Sequence, residues 1–103
     1  MKRVPLLAFL LVLAACGGGP SESEQEAAIA AARQAYDEAV EQGVDMSNGP
    51  CLGVIMNNWV ADVAHDPRED IDDERANQCE AYRQGEADHL VELDPDGNVI
   101  RVE

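Results

Sequence analysis

The stretch ADHLVELDPDGNVIRVE, residues 87–103, decides the fold class. Ala87 to Asp94 and Asn98 to Glu103 are strand-like, and Asp94-Pro95-Asp96-Gly97-Asn98 joins them as a tight turn. Proline presets φ at the second position and glycine takes the positive φ that the turn demands. If Asp94 pairs with Asn98, Leu93 faces Val99 and Leu90 faces Val102. Apolar residues then lie on both faces of the hairpin, so its pattern alone does not name the core side.

Working back along the chain, Trp59 to His65 alternates, with Trp59, Ala61, Val63 and His65 on one side. That is a third strand with a half-buried face, ended by Asp66-Pro67. Residues 66–74 hold six acids and read as an exposed loop. Asp72 or Asp73 then caps a second helix reaching Gln84 and closed by Gly85, with Ala76, Cys79 and Tyr82 inward and Arg83 in its last turn. Further upstream, Ser23 to Gln42 reads as a long helix. Ser23 and Glu26 form a capping box, and Gly43 sits at the C-terminal cap. Ile29, Ala32, Tyr36, Ala39 and Val40 share one shallow face suited to lying on a sheet. Between these elements Asn48-Gly49-Pro50 is a turn, and the rest of residues 44–57 carries no decisive pattern. The expectation is an α+β domain over residues 23–103: two helices on an antiparallel sheet of about three strands.

The N-terminus has a different character. Lys2 and Arg3 precede an apolar run from Val4 to Ala15. Twelve helical residues reach about 18 Å, short of the roughly 30 Å hydrocarbon core, so the run fits a secretory leader rather than a span. It ends in Leu13-Ala14-Ala15-Cys16, which resembles the bacterial lipobox. The resemblance implies diacylglycerol on Cys16, cleavage before it and acylation of the new amine. An ordinary signal peptide with Cys16 as a stray thiol is the alternative. Residues 1–15 are then the leader, and 16–22, with Gly17-Gly18-Gly19-Pro20-Ser21, the flexible tether. Two or three acyl chains hold a protein stably at a membrane where one does not. Gly17 stands where aspartate would signal inner-membrane retention, so either the cell membrane or an outer membrane is allowed. The expected location is extracytoplasmic.

Charge narrows the partners. Behind the leader, five Arg and no Lys stand against 21 Asp and Glu, a net charge of −16. Such a chain repels nucleic acid and anionic headgroups, which excludes both as partners by attraction. Beyond the lipid, the expected partner is a protein or another envelope component. With Cys16 lipidated, Cys51 and Cys79 remain as an even pair in an oxidising compartment, and are expected to form a disulfide. Closing about 28 residues contributes roughly 3–4 kcal/mol on the chain-entropy estimate, a decisive amount for so small a core.

Sites with chemistry are few. His65 and His89, with Asp62, Asp66 or Asp88, offer nitrogen and oxygen donors for a zinc ion. Hydrogen-bonded structural histidines near strand ends are the competing reading. The 94–98 turn superficially resembles a calcium loop but lacks its further ligands and distal Glu. Cys51 or Cys79 with His65 or His89 has the atoms of a thiol enzyme, which the oxidised pair argues against. Neither a serine elbow nor a phosphate-binding glycine loop is present. The expectation is a non-enzyme without a cofactor, acting as a binding or envelope-structural module; a metal-binding lipoprotein using His65, His89 and acidic residues is the first of two alternatives, the second resting on the resemblance below.

Cys51, Trp59-Val60-Ala61-Asp62-Val63-Ala64-His65, Asn77-Gln78-Cys79 and His89-Leu90-Val91-Glu92-Leu93-Asp94 together resemble small secreted domains of prokaryotes. The closing hairpin is similar to the end of PepSY domains. That likeness implies a helix-on-sheet module linked to inhibition of secreted peptidases, and it carries no catalytic residue over.

Overall fold

The computed structural model describes residues 19–103. The expected leader and lipobox, Cys16 and most of the expected tether lie outside the described residues. Helix α1 runs Glu22–Glu41, and its cap is Ser21 rather than Ser23: the Ser21 hydroxyl accepts the Glu24 N–H at 3.1 Å. Placing Glu22 and Glu24 in the first turn complements the helix dipole. At the other end Gly43, with φ of 82°, donates to Val40 O while Val44 donates to Ala39 O. This is the Schellman closure that only a residue tolerant of positive φ allows.

Four strands follow: β1 (Cys51–Met56), β2 (Trp59–Val63), β3 (His89–Leu93) and β4 (Val99–Val102). Their order in one sheet is β1-β2-β3-β4. The expected three antiparallel strands are corrected in two ways. Residues 51–56 supply a fourth strand, and the central pair β2–β3 is parallel, with Trp59 beside His89, Ala61 beside Val91 and Asp62 beside Glu92. A parallel partner needs a crossover of a dozen or more residues, which the segment 64–88 provides. β1 had no readable pattern because irregularities in its pairing with β2 interrupt the period of two, one of them at Gly53 with φ of 100°.

The crossover also departs from expectation. In place of one helix from Asp72 or Asp73 to Gln84 there are 3-10 turns at Asp70–Asp73 and Arg75–Asn77 and a single α turn, α2 (Glu80–Arg83). Cys79 caps α2 instead of lying along its inner side. The acidic stretch 66–74 is not wholly exposed either, since Asp72 is buried at 3% exposure. Its carboxylate accepts the backbone N–H groups of His65 and Glu69, each at 2.9 Å, in place of the helix cap foreseen. In the hairpin Leu93 faces Val99 as expected, but an irregularity next shifts the register. Val91 then faces Val102, and Leu90 exchanges both backbone hydrogen bonds with Glu103.

Both sheet faces are covered, which resolves the ambiguity of the hairpin. On one, Ala28 and Ala32 of α1 press against Trp59, Ala61, Val91 and Leu93, all fully buried. Alanine at both contact points lets the helix backbone approach the strands closely, while Val40, at 48% exposure, lies off this face. On the other, Val60 and Leu90 pack with Cys79 and Ala87, flanked by Tyr82. The Cys51–Cys79 disulfide is formed, with Cα atoms 4.9 Å apart, and ties the start of β1 to the crossover. No helix among the described residues is long and apolar enough to cross a membrane.

Candidate ligand pocket

The parallel register sets Asp62 and Glu92 side by side on the face away from α1. Each is an acid in the middle of an apolar strand, where burial penalises charge. β4 pairs Arg101 with Glu92, and its Nη2 lies 3.1 Å from Glu92 Oε1. From the crossover, Arg68 Nη1 reaches Glu92 Oε2 at 3.5 Å. Glu92 is only 4% exposed, and two guanidinium groups compensate its charge. Both arginines are held from outside as well: Arg68 Nε by Asp73 at 3.0 Å, and Arg101 Nε by Glu103 at 3.1 Å.

Asp62 has no such neutralisation. Its Oδ1 is buried without a hydrogen-bond partner among the described residues. Burial, and then the adjacent Glu92 charge, push its pKa up to about 7, against the smaller opposing effects of the Val63 N–H and Arg68. A proton on Asp62, donated toward Glu92, removes the repulsion between the two carboxyls and gives the orphaned side chain a bond.

Above this acid pair lies a cavity of about 360 Å³. Cys79 of the disulfide and Leu90 form its apolar wall, and α2 contributes Tyr82 and Arg83 to its lining. The Tyr82 hydroxyl donates to Glu103 at 2.9 Å, fixing the ring in place. The arrangement combines fixed cations, an acid that holds its proton near neutrality and an apolar wall, which together can orient a small polar molecule.

The histidines do not meet here or elsewhere. His65 follows β2 at its C-terminal end, and its Nδ1 lies 3.0 Å from Asp72 Oδ1. His89 opens β3 at the other end of the parallel pair, stacked on Trp59 with ring centroids 4.7 Å apart. Asp88 instead engages Asn58 across that end. Parallel pairing thus separates the imidazoles by about six residues of strand, roughly 20 Å. Among the described residues no group of three or more His, Cys, Asp or Glu is placed to hold a metal ion. In the 94–98 turn, the Asp94 carboxylate receives the N–H groups of Asp96 and Asn98, each at 2.9 Å.

From the sequence, Asp62 stood out as a zinc donor and Arg83 as a helix-end charge, while Glu92, Arg68 and Arg101 carried no site expectation. The available signal was an acid flanked by apolar residues in two strands, Ala61-Asp62-Val63 and Val91-Glu92-Leu93. In comparisons with known proteins, no family model matches the chain, and no curated protein or solved structure matches it significantly.

Proposed function

We propose that this protein is an extracytoplasmic lipoprotein, tethered through Cys16, whose folded domain is a non-enzymatic binding module. The observation that carries the reading is the pocket walled by the Cys51–Cys79 disulfide. A covalent link across a 28-residue separation, with its Cys79 half lining the cavity, supports maturation under oxidising conditions and a preformed site. The Leu13-Ala14-Ala15-Cys16 motif and the glycine-rich tether supply the address, and the strongly acidic surface favours solubility outside the cytoplasm.

Intact mass of membrane-extracted protein, alkylated without reduction and again after it, tests this reading. The expected result is a chain that starts at Cys16, carries acyl mass and gains two alkyl groups only after reduction. Unlipidated protein with two freely alkylated thiols would overturn it.

A further inference from the structure

Three of the five arginines behind the leader, Arg68, Arg83 and Arg101, line a single cavity in a chain whose net charge there is −16. The lining acids do not balance them. Glu92 sits between Arg68 and Arg101, which Asp73 and Glu103 also pair from outside. Arg83 makes no ion pair among the described residues, and Arg101 directs only Nε and Nη2 to its two acids. Arg83 and the Nη1 of Arg101 therefore remain as guanidinium donors of the pocket that no acid among the described residues engages.

We propose that the pocket binds a small organic carboxylate, its oxygens held by Arg83 and Arg101 and its apolar body against Tyr82, Leu90 and the disulfide. The inference rests on the binding-module reading and names its ligand class. A carboxylate matches the planar fork of a guanidinium, and partial desolvation in a cavity strengthens the pair. The apolar wall selects against fully hydrated inorganic anions. Asp62 makes the site sensitive to pH. Around it stand Glu92 on β3, Arg101 on β4, Arg68 in the crossover, Tyr82 and Arg83 on α2, and on β1 the Cys51 opposite it, which is held in the disulfide. While it keeps its proton, held toward Glu92, it adds no repulsion beneath the ligand. Once ionised it places a second negative charge beneath the ligand. Affinity is highest below about pH 7 and declines above it.

The test titrates the full lipidated chain in detergent micelles with benzoate, and in parallel with benzamidine, which presents the same ring with a positive charge. Binding is read from NMR shifts of the Arg83 and Arg101 Nε–H and Tyr82 signals. Saturable benzoate binding is expected, weaker at pH 8.5 than at pH 6 by up to roughly thirtyfold, the limit set by one linked proton whose pKa is about 7. Arg83→Gln, an exposed position that leaves the core untouched, should weaken it by about fivefold or more through loss of a charged fork. Asp62→Asn should flatten the pH dependence, and Arg33→Gln on α1, outside the pocket, should change nothing. Saturation by benzamidine in place of benzoate would overturn the carboxylate assignment while leaving a binding module. Benzoate binding indifferent to Arg83→Gln would place the site elsewhere and overturn it too. Saturation by neither probe would overturn the assignment and count against the binding module itself; the mass experiment bears separately on the lipid anchor.

Discussion

Asp72 closes on His65 twice: its Oδ2 accepts the His65 backbone N–H at 2.9 Å and its Oδ1 lies 3.0 Å from the imidazole Nδ1. The same carboxylate takes the Glu69 N–H, and a Cβ on Gly49 would collide with it, so β2, the crossover and the β1 turn meet at one buried acid.

Removing that acid should be costly. Asp72→Ala is expected to destabilise by about 1–3 kcal/mol, because two part-buried backbone donors lose their buried acceptor. Burial raises the Asp72 pKa, but hydrogen bonds from Glu69 and His65 outweigh it and hold the carboxyl below its ordinary value. Its contribution is therefore present above the ordinary aspartate pKa near 3.9 and is lost as pH falls through the lower folded value. Urea unfolding of wild type and Asp72→Asn should show a gap that narrows from pH 6 toward pH 3.

Asp62 acts in the opposite direction. With a folded pKa of about 7, it keeps a proton between about pH 4 and 7 that the unfolded chain has released. Stability from this group falls as pH rises across that window. Asp62→Asn should gain on the order of 1–2 kcal/mol relative to wild type on going from pH 5 to pH 8, a modest figure because the pocket is open to solvent. Thermal melts at the two pH values read the difference directly, and an equal effect at both would contradict it.

Reduction of Cys51–Cys79 should lower stability by roughly 3–4 kcal/mol, on the loop-entropy estimate for its separation. Denaturant midpoints with and without reductant measure this, with the Cys51→Ser, Cys79→Ser double variant as a reductant-free control.

Trp59, the single tryptophan, is fully buried and donates its indole N–H to Glu24 at 2.8 Å. Glu24→Ala leaves that donor without a partner and should cost about 1–2 kcal/mol, while Glu24→Gln, which keeps an acceptor, should cost less. Trp59 fluorescence reports both the unfolding midpoint and any change around the ring.

Gly97 has φ of 91°, and a Cβ there would lie 2.9 Å from the Tyr36 ring, whose hydroxyl donates to Pro95 O at 2.6 Å. Gly97→Ala combines backbone strain with this clash and should destabilise by about 1–3 kcal/mol. Equilibrium unfolding would show it, and Asp96→Ala at the neighbouring exposed position supplies the comparison.

Features governed by a few neighbouring residues were legible. Gly43 terminates α1 and Gly97 turns the hairpin because each needs a positive φ that its local sequence announces. Cys51 and Cys79 form the bond expected of them. The helix start moved from Ser23 to Ser21 because several serines and acids compete there as caps, and only the docking of Glu24 on Trp59 distinguishes them. The second helix was misread because Asp72 satisfies backbone donors in a turn rather than at a helix cap, a choice made by its burial against His65.

By itself, then, the sequence determined a long helix, a Pro-Asp-Gly hairpin, a cysteine pair and a strongly acidic composition. Backbone propensity, turn stereochemistry and charge act over a few residues, so these needed no partner. Only the tertiary structure decided that β2 and β3 run parallel, since alternation shows which residues share a face but not which strand lies alongside. That pairing brings Asp62 against Glu92, gathers three arginines around them and sends His65 and His89 to opposite ends. The proton held by Asp62 follows from burial and from a neighbour thirty positions away, both properties of the folded chain.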